Sequence, residues 1–206
     1  MRLQHPLASV APTVGAAALS VLAGADTHFT VPRIQTLLPQ QASLPGLRKA
    51  LAALVMQGIV LEAIVGNTRS YRLNREHILA EPLIAMTRSR ELLLGRMREH
   101  IASWSVQPTA VTIFGSAARG DMDDDSDIDL LVILPDEEQH DSIHDQIDRL
   151  AADITTWTGN DTRPLVYREC EIAPSPIFNS IMDEGTNVAG DANWLRRRLR
   201  RPSDAS

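Results

Sequence analysis

Residues 111–134 constrain this chain more than any other stretch: Val-Thr-Ile-Phe-Gly-Ser-Ala-Ala-Arg-Gly-Asp-Met-Asp-Asp-Asp-Ser-Asp-Ile-Asp-Leu-Leu-Val-Ile-Leu. A β-branched run ends at Gly115-Ser116, the chain turns through small residues, and a second apolar run opens on Asp127 and Asp129. Side chains alternate across a strand, so the two acids share one face and Ile128, Leu130 and Val132 share the other. Adjacent carboxylates repel each other, and a divalent cation between them removes the repulsion. Ligands that are all oxygen suit Mg²⁺ or Mn²⁺. Upstream, Gly115 lets backbone amides approach an anion and Ser116 adds a hydroxyl donor. The following Ala-Ala suits the first turn of a helix, whose N-terminus favours phosphate. Arg119, one turn on, can clamp a terminal phosphate through two parallel hydrogen bonds. Residues 115–129 thus combine the parts of a triphosphate site with those of its metal site.

This Phe-Gly-Ser-Ala-Ala-Arg-Gly, with ten residues between Ser116 and an Asp-Ile-Asp on an apolar strand, resembles the DNA polymerase β-type nucleotidyltransferase superfamily. The nearest likeness is to its minimal nucleotidyltransferases, and it extends more loosely over residues 106–190. The resemblance implies a mixed sheet flanked by helices, nucleotide phosphates bound by Gly115 and Ser116, and Mg²⁺ held by Asp127 and Asp129. It also implies transfer of a nucleoside monophosphate from an NTP to a hydroxyl acceptor: tRNA ends, antibiotics or partner proteins, including RNase toxins. Asp121, Asp123, Asp124 and Asp125 read as solvated loop acids that raise the local cation concentration.

The same family places a third carboxylate on a later strand. After a helix over 141–157, with the stripe Ile143, Ile147, Leu150 and Ile154 and a stop at Gly159, the strand over 162–168 contains no acid. Pro164 marks it as an edge or irregular strand. Asp161 before it and Glu169 after it are the nearest candidates. A site short of one ligand supports nucleotide binding better than fast turnover. His140 and His144, one turn apart, could bind a metal but read as a solvated face. Cys170 has no identifiable base and receives no role. The segment 194–201 is amphipathic with five arginines, and either contacts nucleic acid or neutralises the acidic domain.

The net charge of −6 hides a split: residues 1–105 carry +5 and residues 106–206 carry −11. The basic half reads as helices over 13–23, 30–38 and 43–58, then a strand over 59–65, a Gly66-Asn67 turn and a strand over 69–73. Three helices and a hairpin resemble a winged helix-turn-helix. In such a domain the third helix enters the DNA major groove and the hairpin touches the backbone. Arg48 and Lys49 fall on that helix, Arg69 and Arg72 on that hairpin, where phosphate contacts would be wanted. A structural or dimerising role is the other reading. Pro82 opens a helix to about Trp104. Its stripe of Met86, Leu93, Met97, Ile101 and Trp104 needs a partner, either the next domain or a second copy in a homodimer. Its arginines Arg88, Arg96 and Arg98 face solvent.

The run over 3–25 lacks formal charge and superficially resembles a secretory signal, but Pro6 and Pro12 interrupt it and alanine dominates. No stretch has the ~20 strongly apolar residues a bilayer span requires. A single cysteine gives no reason to invoke an oxidising compartment, so a cytoplasmic location is expected.

The expectation is therefore an α+β chain: a winged helix-turn-helix over 1–80, a connecting helix over 81–105, a polymerase β-like nucleotidyltransferase domain with a mixed sheet flanked by helices over 106–192, and a basic tail over 193–206. Its function is metal-dependent nucleotidyl transfer from an NTP to RNA, protein or a small molecule, with DNA bound by the first domain. The alternative is a winged-helix transcription regulator with a nucleotide-sensing, weakly catalytic second domain.

Overall fold

The alanine-rich start of the chain folds as two short helices, α1 (Pro6–Val10) and α2 (Val14–Ala23). Thr13 caps α2 by accepting from the Ala16 N–H, and the face carrying Ala18 and Leu22 is fully buried. The structure, a computed structural model, describes residues 1–39, 41–123, 125–136 and 141–200. They divide into two units, one of Arg2–Arg90 and one of Met1 with the described residues from Glu91 to Arg200.

In the first unit, β1 (Phe29–Thr30) leads into α3 (Val31–Leu37), and Ser43 caps α4 (Leu44–Met56) at the Gly46 N–H. Thr30 precedes α3 without a side-chain cap bond, and Pro32 in the first turn needs no donor there. The hairpin β2 (Val60–Val65) and β3 (Thr68–Leu73) is extended by β1 into a three-stranded sheet of order β1-β3-β2. Sequence reading misses α1 and β1, since two strand residues before a proline give no periodicity. Leu22, Ile34, Leu47, Leu51, Val60, Tyr71 and Leu73 form the core.

The single helix expected from Pro82 is instead two: α5 (Ala80–Thr87) and α6 (Ser89–Ala102). At Arg88 ψ turns to +13°, and its N–H bonds to Ala85 and Met86 rather than four residues back. Thr87 and Ser89 hydroxyls donate to the carbonyls of Ile84 and Met86, competing with the helical ladder. Pro82 is the third residue of α5, where a missing N–H costs nothing. The boundary between units falls within α6, so the expected linker over 81–105 is not one separate element.

The second unit is built on a four-stranded mixed sheet of order β6-β5-β4-β7. β4 (Ala110–Phe114) lies antiparallel to β5 (Ile128–Leu134) and to β7 (Thr186–Gly190), while β5 and β6 (Thr162–Arg168) run parallel. That parallel pair requires a crossover, supplied by α8 (Asp141–Thr158), and Gly159 at φ +72° ends the helix. Pro164 is tolerated because β6 is an edge strand. On α8 the predicted stripe Ile143, Ile147, Leu150 and Ile154 is buried. On the sheet, Leu131 and Ile133 cluster with Ile172, with Phe178 and Ile181 of α9 (Pro176–Glu184), and with Leu195 of α10 (Trp194–Arg200).

The stripe Leu93, Met97, Ile101 and Trp104 is buried within the chain, while Met86, on α5, is only half-buried. Two of the arginines read as solvent-facing are engaged: Arg98 Nε donates to the Val188 carbonyl, and Arg96 lies 5.6 Å from the centroid of a Trp157 ring. Arg88 is exposed.

Candidate active site

Strand β4 delivers the chain to Gly115, which opens the five-residue helix α7 (Gly115–Arg119). Gly115 has φ +68°, and a Cβ at this position would lie 2.5 Å from Asp129 Oδ2. The left-handed backbone favours glycine here, and a Cβ would in addition push the Asp129 carboxylate aside. Phe114 faces Asp129 across the β4–β5 ladder, so this antiparallel register brings the Gly115-Ser116 turn to the acid pair. Gly120, at φ +77°, closes α7.

Asp127 and Asp129 share the parity of Leu131 and Ile133 on β5. Burial first, then repulsion from Asp127, holds the Asp129 carboxyl above the usual carboxylate range, while Arg163 and Arg119 draw it back. That condition suits a cation: two carboxylates with water and phosphate oxygens fit one hard divalent ion. Among the described residues, no three His, Cys, Asp or Glu side chains gather as a metal site.

The two acids considered as a third ligand lie at opposite ends of β6. Glu169 follows Arg168, which pairs with Leu134, so it is a strand length of about 20 Å from the acid pair. There Glu169 accepts a 2.6 Å hydrogen bond from Thr109 Oγ1. The register thus rules Glu169 out as a ligand. Asp161 is at the correct end and its carbonyl accepts from the Ile128 N–H, but its side chain is exposed and joins no cluster. The residue level with Asp129 on β6 is a cation, Arg163, whose Nη2 lies 2.8 Å from Asp127 Oδ2.

Arg119 ends α7 between two carboxylates: its Nε donates to Asp121 at 3.0 Å and its Nη1 to Glu184, at the end of α9, at 3.1 Å. Asp121 is thus not simply a solvated loop acid. Asp123 and Asp125 are exposed, and Asp124 lies outside the described residues. Sequence reading missed Arg163 and Glu184. A strand reading alone gives no register for Arg163, and Glu184 belongs to a helix it did not resolve. His144 is exposed and His140 lies outside the described residues. The exposed Cys170 donates its backbone N–H to Asp136. In the arginine segment, Leu195 is buried and Arg197 pairs with Asp191, while Arg201 lies outside the described residues.

In the first unit, Arg48 of α4 and Arg69 of β3 line one groove of about 720 Å³ between helix and hairpin. Arg69 donates to Glu62 at 2.9 Å, as does the Tyr71 hydroxyl. These bonds, that of Tyr71 first, hold the Glu62 carboxyl below its usual range. By strand alternation Arg72 points away from the face of Arg69 and Tyr71. Lys49 is exposed on α4 but does not line the groove.

A family model described as a nucleotidyltransferase domain matches residues 96–184, from α6 through the acid pair to the end of α9. This stretch is a nucleotidyltransferase domain. No curated protein matches the chain. Solved structures do: a toxin–antitoxin complex with AMP-PNP is 16% identical over 51% of this chain and 79% of that one, TM-score 0.38. The tri-AMPylated HEPN toxin of Shewanella oneidensis in complex with MNT antitoxin is 15% identical over 52% and 84%, TM-score 0.36. TrmBL2, an archaeal chromatin protein, is 17% identical over 74% of this chain and 64% of that one, TM-score 0.27. Within the nucleotidyltransferase domain, Gly115, Ser116, Arg119, Asp127, Asp129, Arg163 and Glu184 are the residues set around the end of the β4–β5 pair. Among the described residues, no helix is long and apolar enough to cross a membrane.

Proposed function

We propose that the nucleotidyltransferase domain moves a nucleoside monophosphate from an NTP to a hydroxyl on RNA, a protein or a small molecule, with release of pyrophosphate. The observation that supports this reading is the close approach of Asp129 to the Gly115 turn, with the Gly-Ser turn and the acid pair at one end of the β4–β5 ladder. Asp127 and Asp129 would hold Mg²⁺ or Mn²⁺. When bound, the ion neutralises charge on the phosphates and orients them for in-line displacement. Gly115 and Ser116 receive the phosphates on backbone N–H groups and a hydroxyl. Arg119, positioned by Asp121 and Glu184, is the cation for the outer phosphates. The acceptor oxygen forms a bond to the α-phosphorus as the bridging bond to the β-phosphate breaks, and pyrophosphate leaves with the electron pair. The hydroxyl proton passes to water.

For the first unit we propose a winged helix-turn-helix that binds DNA. The order β1-β3-β2 and the groove shared by Arg48 and Arg69 support it. A nucleotide-sensing regulator of slow turnover is the second reading, favoured by the arginine beside Asp127.

Incubation with α-³²P-labelled NTPs, Mg²⁺ or Mn²⁺ and cell extract should label an acceptor with wild type and not with Asp127→Ala. Absence of both labelling and nucleotide binding would overturn the enzyme reading. Sequence-specific DNA retention that responds to NTP, with no transfer product, would establish the regulator instead.

A further inference from the structure

The acid pair of the nucleotidyltransferase domain already has a cation beside it, and that cation belongs to the chain. Arg163 lies level with Asp129 on the parallel neighbour strand and pairs with Asp127 at 2.8 Å. Its side chain is 70% exposed while that of Asp127 is 23% exposed, so the guanidinium reaches in from solvent over a fixed carboxylate. β6 is an edge strand of the sheet, and the exposure of the Arg163 side chain leaves it room to swing outward. A guanidinium on Asp127 Oδ2 and a divalent ion held by the same carboxylate repel each other, so each weakens the binding of the other. Phosphate is the other partner whose paired oxygens match a guanidinium fork.

Resting on the transferase reading above, we propose that Arg163 is a phosphate-exchanged latch. In nucleotide-free protein it pairs with Asp127. When a divalent metal arrives with a nucleoside triphosphate, Arg163 leaves the acid for a phosphate oxygen, so the metal and the triphosphate bind well only together. The arginine thereby sets the ligand class, the metal–triphosphate complex rather than the free metal.

The latch gives opposite signs to two affinities, which a surface ion pair of purely structural role would not. The test uses the full chain as wild type, Arg163→Gln and Arg163→Lys, with Mn²⁺ alone read by the loss of its free-ion electron paramagnetic resonance signal. Binding of α,β-methylene-ATP in saturating Mn²⁺ is read by calorimetry. Loss of the competing cation should tighten Mn²⁺ alone in Arg163→Gln by about fivefold. Loss of a charge-assisted phosphate bond should weaken the analogue by about tenfold. Arg163→Lys should keep the wild-type Mn²⁺ affinity and lose part of the analogue affinity. If both affinities of Arg163→Gln move in one direction, or neither moves, the latch is overturned while the transferase reading stands. If wild type binds neither Mn²⁺ nor the analogue, both fall together.

Discussion

The two units handle charge in opposite ways. In the first, cations are spread over an exposed helix and hairpin, and the one that faces the groove beside Arg48 is tethered to Glu62. In the second, two like charges are concentrated at a strand end, one of them partly buried and held above its usual pKa range. Dispersed cations suit a long polyanion, where each contact adds a small, salt-sensitive increment. A concentrated acid pair suits one multivalent ion, where losing either member removes the site.

The sharpest way to break this contrast is Asp129→Asn. Transfer should fall by about a thousandfold or more in the label-transfer assay, as expected when the metal's several kcal/mol of transition-state stabilisation are lost. Retention of activity would show that the acid pair is not the site. Gly115→Ala comes next, because it forces both an unfavourable φ and a contact with Asp129. Backbone strain of about 1–3 kcal/mol and a displaced carboxylate should lower Mn²⁺-dependent analogue binding by at least about tenfold.

On the first unit the effects should be smaller and read in salt. For Arg48→Ala, the slope of log affinity for DNA against log salt should lessen by about 0.9. Arg72→Ala, on the opposite sheet face, should leave the slope unchanged. Equal losses in the two variants would mean that DNA does not enter the groove. Glu62→Gln releases the Arg69 tether and should tighten DNA binding by about two- to fivefold, through one ion pair's worth of competition.

The smallest expected effect is on stability. Asp129 binds its proton more readily in the folded chain than in the unfolded one. The metal-free fold therefore gains stability as pH falls from above the raised value towards the ordinary one, and carries the full penalty above it. At neutral pH the metal-free Asp129→Asn protein should melt about one or two degrees above wild type, and the gap should close in acid. A constant gap across pH would assign it to packing.

Local signals in the sequence located much of this arrangement. The Gly-Ser turn, the acid pair on one strand face, the α8 stripe and the edge character announced by Pro164 all depend on neighbouring residues and on alternation. What could not be read depends on register. Whether Glu169 or Arg163 lies beside the acids is decided by how β6 aligns with β5, which periodicity does not encode. The break at Arg88 was hidden because Thr87 and Ser89 compete with the helix through side-chain hydroxyls, while the apolar spacing continues across it. β1 became visible only through its pairing with Tyr71 and Ser70.

The parallel pairing of β5 with β6 also orders events in time. Asp127 and Arg163 are 36 positions apart in the chain, separated by the whole of α8. The β4–β5 hairpin can form from contiguous residues, but the guanidinium reaches the acids only after the crossover helix has docked and the edge strand has added. On the ribosome, the acids emerge well before their counter-charge. A nascent chain stopped before residue 162 carries the bare anionic pair, and the ion pair at Asp127 therefore reports that the crossover helix and the β6 edge are in place.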